Sequence, residues 1–565
     1  MKKRRSRKVF LSLAIVIALL AAAVPNAAFA AAPKSAMQSY VEAMQPGWNL
    51  GNSLDAVGAD ETAWGNPRVT KELIQNIAAQ GYKSIRIPVT WDAHIGAAPH
   101  YQIEAAYLER VHEVVQWALD ANLYVMINIH HDSWLWISKM ETQHDQVLAR
   151  YNAIWTQIAN KFKNSPDKLM FESVNEPRFT DGGTTDEGKQ QKMLDELNVS
   201  FYNIVRNSGG QNATRPLVLS TLEASPSQER MTALYNTISK LNDQNIMATV
   251  HFYGFWPFSV NIAGHTKFDA ETQNDIITTF DNVYNTFVAK GIPVIVGEYG
   301  LLGFDKHTGV IEQGEKLKFF EFFAYYVKQK SISTMLWDNG QHFNRTSFKW
   351  SDPDLFHMIK ASWTGRSSTA ASDLIHVKQG TTIKDTPVQL HLNGNTLTSL
   401  SVNGATLSSG TDYTLNGSTL TFKASLLGKL TSSGKLGVNA TIVAKFNKGA
   451  DWKFNVVLYS TPKLSSATGT TSSFSIPTVF NGDQLATMEA VYVNGGNAGP
   501  HNWTSYKEFE TTFSPVYSEG KIKLQPAFFN EVNDGAVTLR FHFWSGEIVN
   551  YTIQKSGSTV TGTAS

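Results

Sequence analysis

Two glutamates stand where carboxylates are costly unless they do chemistry. Glu176 falls in the run Leu169-Met-Phe-Glu-Ser-Val-Asn-Glu-Pro177, and Glu298 in Pro293-Val-Ile-Val-Gly-Glu-Tyr-Gly300. Each ends a short apolar run of the kind that forms a fully buried strand. A charge there must open onto a cleft or have a chemical task. Two of them, on matching strand ends far apart in the chain, suggest an acid/base paired with a nucleophile. That is the pair by which glycosidic bonds are split.

The elements around them support a common scaffold. Strand-like runs span Gly47–Asp55, Ser84–Trp91, Tyr124–His131, Leu169–Pro177, Pro216–Glu223, Met247–Tyr253, Pro293–Gly300 and Ser333–Gly340. Between them lie helix-period stretches: Tyr107–Asn122, Gln146–Phe162, Lys189–Arg206, Ile276–Ala289 and Gln313–Lys328. This alternation up to about Gly365 predicts a (β/α)8 barrel. A doubly wound open sheet is the alternative, but no Gly-rich phosphate turn follows the first strand. In a barrel the functional face lies at the C-terminal strand ends. Polar residues gather there: Asn52, Arg86, His130-His131-Asp132, Asn175-Glu176, His251 with Tyr253, Glu298, and Trp337.

Taken together, Arg86, His130, Asn175-Glu176-Pro177, His251-Phe-Tyr253, Glu298 and Trp337 resemble the motif set of glycoside hydrolase family 5. The opening Gly47-Trp-Asn-Leu-Gly-Asn52 looks like its endoglucanase and xyloglucanase branch, subfamily 4. The resemblance covers about residues 35–365 and implies a retaining mechanism without metal or other cofactor. It makes Glu176 the acid/base and Glu298 the nucleophile, and it places Asn175 on the sugar 2-hydroxyl. Residue chemistry agrees. Arg86 and the Tyr253 hydroxyl suit an ionised Glu298, whereas Glu176 needs a raised pKa to keep its proton. His251 and Tyr253, two apart on a strand, share a face. His130 suits a place near the cleaved bond, and Trp337 offers a flat floor for a sugar. Asn52, His131 and Trp256 complete the candidate binding residues.

Duller readings compete. Arg86 alone could be a buried ion-pair residue, and His130-His131-Asp132 could hold a metal. Trp337 could pack a core, as Trp117 and Trp155 on helices should. Glu172 reads as structural.

The rest of the chain gives context. Lys2-Lys-Arg-Arg5, Arg7 and Lys8, then the apolar Val9–Val24 and Ala28-Phe-Ala30, read as a secretory signal over residues 1–30. The protein is therefore expected outside the cell, free of the membrane after cleavage, and monomeric. A formal charge of +1 gives no footprint for nucleic acid, and the absence of cysteine excludes disulfides and thiolate chemistry. With 14 Trp, 19 Tyr and 31 Phe, aromatic faces are plentiful, and on a neutral chain they suit sugars. After a catalytic unit over 31–366, the small residues 367–372 read as a linker. Two small β-sandwiches are expected, over 373–462 and 463–565, with Asn-Gly hairpin turns in Leu390–Gly394, Leu400–Gly404 and Tyr413–Gly417. They resemble an immunoglobulin-like X2 module and a family 46 carbohydrate-binding module. In the latter, Trp503 lies among Gly and Asn and reads as a sugar-stacking residue. Trp64, Trp134, Trp136, Phe255 and Trp256 beyond strand ends suggest an extended groove. The expected partner is a plant cell-wall β-1,4-glucan cut internally, with xyloglucan or mixed-linkage glucan as further substrates. Mannan or xylan cleavage, a non-catalytic wall-binding protein, and a metal-dependent amidohydrolase are the alternatives.

Overall fold

The computed structural model describes residues 34–303 and 309–564, so the expected signal segment lies outside the described residues. Eight parallel strands close into a barrel: β1 (Gly47–Asn49), β2 (Ser84–Ile87), β3 (Tyr124–Asn128), β4 (Leu169–Glu172), β5 (Leu217–Ser220), β6 (Ile246–Phe252), β7 (Val294–Tyr299) and β8 (Ser333–Leu336). Apart from Tyr124, every strand residue is buried. This explains the continuous apolar runs: strands covered on both faces need no alternation. Helices α1 (Lys71–Gln80), α2 (Ala105–Asp120), α3 (His144–Phe162), α4 (Glu187–Asn207), α5 (Gln228–Leu241), α6 (Ala270–Thr286), α7 (Gln313–Gln329) and α8 (Pro353–Ser362) follow the strands in turn. Thr70, Asp186, Asp269, Glu312 and Asp352 cap five of them, each accepting from a backbone N–H of the first turn. An additional helix, Ala36–Ala43, precedes β1. Its Met37 and Val41, with Met44, pack on Met126, Met170, Val218, Met247, Ile295 and Met335.

The strands are shorter than their apolar runs. Pairing on β4 stops at Glu172, and the chain then turns so that Glu176 adopts φ +38°. A non-glycine residue in that left-handed region is strained and persists only where its surroundings hold it. The functional residues after β3 and β4 therefore sit on loops.

Beyond the barrel, two pairs of sheets follow. In the first, Leu374–Lys378, Leu397–Val402, Ala405–Thr406, Gly437–Phe446 and Trp452–Tyr459 form one sheet, and Thr369–Ala370, Thr386–His391, Tyr413–Asn416 and Thr419–Phe422 the other. In the second, a four-stranded sheet contains Lys463–Leu464, Phe474–Val479, Phe513–Val516 and Lys521–Leu524. Its five-stranded partner contains Ala467–Thr470, Leu485–Tyr492, Gly535–Phe543, Ile548–Ser556 and Thr559–Ala564.

Two sequence expectations change here. Residues 367–372 are no free tether: Ser367 and Ser368 are buried, and Thr369–Ala370 pairs with Leu390–His391. Only Asn403-Gly404 is the expected two-residue hairpin, both at positive φ between the paired Val402 and Ala405. Asn393-Gly394 instead crosses between sheets, and the third turn is Gly417-Ser418, since Asn416 pairs with Thr419.

The three units touch pairwise. Lys453 pairs with Asp354 between barrel and middle unit, and Lys378 with Glu547 between middle and terminal units. Between barrel and terminal unit, Asn261 Nδ2 donates to Ala486 O and Phe509 N to Asn261 O. The middle and terminal units lie so close that a Cβ on Gly482 would be 2.3 Å from Gly437 N.

Candidate active site

The barrel mouth is organised around one guanidinium. Arg86 on β2 is fully buried, and its donors are aimed in three directions. Nε donates to Glu172 Oε2 (2.8 Å), Nη1 to Asn49 Oδ1 (3.0 Å) and Glu298 Oε1 (2.6 Å), and Nη2 to Asn175 Oδ1 (2.7 Å). A planar fork of fixed donors can fix several acceptors at once, which a lysine cannot do. Tyr253 Oη donates to the other oxygen of Glu298 at 2.7 Å. Glu298 is thus held from both sides in the geometry of a carboxylate.

Glu176 faces a different partner. His251 Nδ1 lies 2.8 Å from Glu176 Oε1 and 3.5 Å from Glu298 Oε2. One oxygen of each glutamate and a ring nitrogen of His251 all lie within 4.8 Å of one another. Burial alone would raise the Glu176 carboxyl, but the His251 hydrogen bond and charge outweigh it and lower its pKa. His251 moves the other way: desolvation opposes its charge, yet Glu298 and Glu176 together raise it. The sequence argument gave Glu176 a raised pKa; the His251 hydrogen bond and charge lower it instead, while the two carboxylates facing the imidazole raise His251.

His130 is neutral, its pKa held well below the usual value by burial and then by the His131, Arg86 and His251 charges. Asn128 Nδ2 donates to both His130 Nδ1 and Glu172 Oε2. That assignment leaves the proton of His130 on Nε2, 4.0 Å from Glu298 Oε1. Trp337 is half-buried and stacks parallel to His130, ring centroids 6.0 Å apart. A Cβ on Gly51 would come within 2.8 Å of the Trp337 ring, so the floor requires a glycine there.

Other candidates sit elsewhere. Asn52 shapes the loop after β1: its φ is +54°, its N–H donates to Asp55 Oδ2, and its carbonyl accepts from Asn66 Nδ2. His131 accepts from Trp134 Nε1 and packs near Trp64, so it joins two exposed indoles, and its Nε2 lies 3.4 Å from Asp55 Oδ2. Trp136 leaves the proposed groove, being 6% exposed with its indole donating to Asp132. Asp132 also accepts from Trp91 N, and burial raises its pKa to about 6. The imagined His130-His131-Asp132 triple does not converge; Asp55 is the carboxylate near both histidines. Trp155 is core, as expected, while Trp117 is half-buried under Arg110. Trp503, 59% exposed, meets Trp256, 41% exposed, at 6.5 Å between centroids, with His501 beside both.

One participant escaped the sequence reading: Asn49, which ties Arg86 to Gly297 O and the β8 carbonyls. Glu172, read as structural, is a fully buried anchor of Arg86. Their one signal was a polar side chain inside an otherwise apolar strand.

Three family models match the chain in succession. The family model for cellulase (glycosyl hydrolase family 5) matches residues 50–343, that for carbohydrate binding domain X2 residues 369–456, and a further carbohydrate binding domain, CBM46, residues 460–563. Endoglucanase B of Paenibacillus lautus is 90% identical over 566 residues, all of both chains. Among solved structures, the tri-modular endo-β-1,4-glucanase B of Bacillus halodurans superposes with TM-score 0.93 at 59% identity, covering 94% of this chain and 100% of its own. A tri-modular subfamily 4 endo-β-1,4-glucanase of Bacillus licheniformis complexed with cellotetraose gives 0.79 at 33% identity, covering 93% and 99%.

Proposed function

The chain belongs to glycosyl hydrolase family 5, and on that premise we propose how its carboxylates divide the work of a retaining endo-β-1,4-glucanase. Glu298 is the nucleophile: Arg86 and Tyr253 each donate to one of its oxygens and fix them for attack on the anomeric carbon. Glu176 is the acid/base. It receives the proton it shares with His251, passes it to the departing glycosidic oxygen, and then takes one from the water that releases the glycosyl-enzyme. Asn175, its carbonyl oxygen taken by Arg86, has its amide N–H₂ to offer a sugar hydroxyl. His130 presents Nε2–H toward the same centre, and Trp337 supplies a stacking floor.

One observation carries this reading. Oxygens of Glu176 and Glu298 approach within 4.8 Å across one imidazole, close to the ~5–5.5 Å of retaining pairs and short of the ~6.5–9.5 Å that admits an inverting water. Glu176→Ala tests it. The variant should lose roughly 10²–10⁴-fold on polymer. On an aryl cellobioside with a good leaving group, added azide should restore turnover and yield a β-glycosyl azide. An α-azide, or no rescue, would reject the assignment.

The substrate is a β-1,4-glucan polysaccharide. Exposed Trp64 and Trp134 on one side and Trp256 with Trp503 on the other support reading the mouth as a groove for a long chain, xyloglucan and mixed-linkage glucan included. Trp503 then contributes a sugar contact from the terminal module. The leader-like first thirty residues support export and action on cell-wall material, and no helix among the described residues is long and apolar enough to cross a membrane.

A further inference from the structure

The loop that carries Trp503 is held by an unusual residue. Trp503 is too exposed to be fixed by its own packing; its ring neighbours are Trp256 and His501. Four residues on, Lys507 is completely buried, a rare state for a lysine. Its Nζ donates to Pro500 O and to Thr504 O, both at 2.9 Å, so one amine closes the loop across the two carbonyls that bracket Trp503. Among the described residues no carboxylate forms an ion pair with it. Burial pushes the ammonium down to about 8, with Glu531 the one carboxylate that favours its charge. A side chain buried at this cost, where methionine would fill the same volume, is retained for what it orients. Its backbone is tied to the sheet: Lys507 N donates to Met488 O on Leu485–Tyr492, the edge strand of the terminal unit's five-stranded sheet. The other ties on the loop come from half-buried groups nearer its surface: Asn497 Nδ2 donates to Asn502 O, Thr504 N to His501 O, and His501 Nε2 lies 3.4 Å from Glu508 Oε2.

We propose that Lys507 is a positioning residue for polysaccharide cleavage, stapling the 500–504 loop so that Trp503 faces Trp256 at the lip of the groove. This rests on the reading that Trp503 contacts the polymer. Without the amine both carbonyls lose their donor, the loop relaxes toward water, and the indole leaves its place. The catalytic centre, built on the barrel alone, is untouched.

The test compares the full mature chain with Lys507→Met, Trp503→Ala and the double variant, on carboxymethylcellulose and on an aryl cellobioside. Melting curves confirm that each is folded. Lys507→Met is expected to lose about fivefold in kcat/KM on the polymer. The loss should fall in KM, with aryl cellobioside turnover unchanged, and the double variant should equal Trp503→Ala alone. If Trp503→Ala is impaired and Lys507→Met is not, the staple is wrong. Losses that add in the double variant, or that extend to the aryl substrate, make Lys507 merely structural and equally overturn the proposal. Normal polymer cleavage by Trp503→Ala removes the reading beneath it, and the staple falls with it.

Discussion

The carboxylate centre and the tryptophan rim are built by opposite means. At the centre Arg86, His130, Asn175, His251 and Glu298 are all buried and each is held by a barrel neighbour: Arg86 by Glu298 and Asn175, His130 by Asn128, His251 by Glu176. At the rim Trp256 and Trp503 are exposed, come from different folded units, and meet at a tilt of 43°, with His501 edge-on to both. The first arrangement preorganises charge where water is scarce, so small displacements there cost much. The second gathers apolar area and owes its geometry to how two units dock. Chemistry is thus a property of the barrel, and polymer capture a property of the assembly.

That contrast can be broken in a graded series. Glu298→Ala should lose roughly 10⁵-fold or more on polymer and aryl cellobioside alike; a loss confined to polymer would move the chemistry away from the centre. His251→Asn should come next, and its signature is pH. His251 is raised above its ordinary value of about 6.5, so the shared proton is retained until the pH passes that raised value. The variant should therefore show its basic limb of kcat/KM at lower pH. Stability follows the same signs: the His251 contribution is present below about 6.5 and fades as pH rises through its folded pKa. The Glu176 contribution is present above about 4.5 and fades on acidification. An unchanged basic limb would detach His251 from the proton.

Asn261→Ala should have the smallest effect, and only on polymer. Asn261, buried at φ +52°, ties Val310 O on the barrel to Ala486 O on the terminal unit and accepts from Phe509 N. Removing its amide should cost about two- to fivefold on carboxymethylcellulose, the worth of one or two ordinary hydrogen bonds at most, with aryl cellobioside rates unchanged. Equal losses on both would mean that the rim and the centre are not separable.

The sequence was informative where burial leaves one solution. Runs such as Val294–Val296 can only be covered strands, and Glu298 at the end of one could only be costly or functional. It was less informative where geometry between distant residues decides. The strand run through Glu176 ended at Glu172, since the left-handed turn at Glu176 has no sequence mark without a glycine. The Glu176 carboxyl is lowered and His251 raised because Glu298, over a hundred residues away, also faces that imidazole. Trp136 and Trp134 looked alike as loop aromatics, yet Asp132 draws one indole into the core while the other stays exposed. Residues 367–372 had the composition of a linker, but composition does not show that a neighbouring strand will pair with them.

The central claim is that Glu298 forms the covalent intermediate while Glu176 moves protons. Incubation with 2,4-dinitrophenyl 2-deoxy-2-fluoro-β-cellobioside, followed by peptide mass spectrometry, tests it most directly. The account predicts a single added cellobiosyl unit on the peptide spanning 293–300, at Glu298. A label on Glu176, or no label together with products released first as the α-anomer, would contradict it.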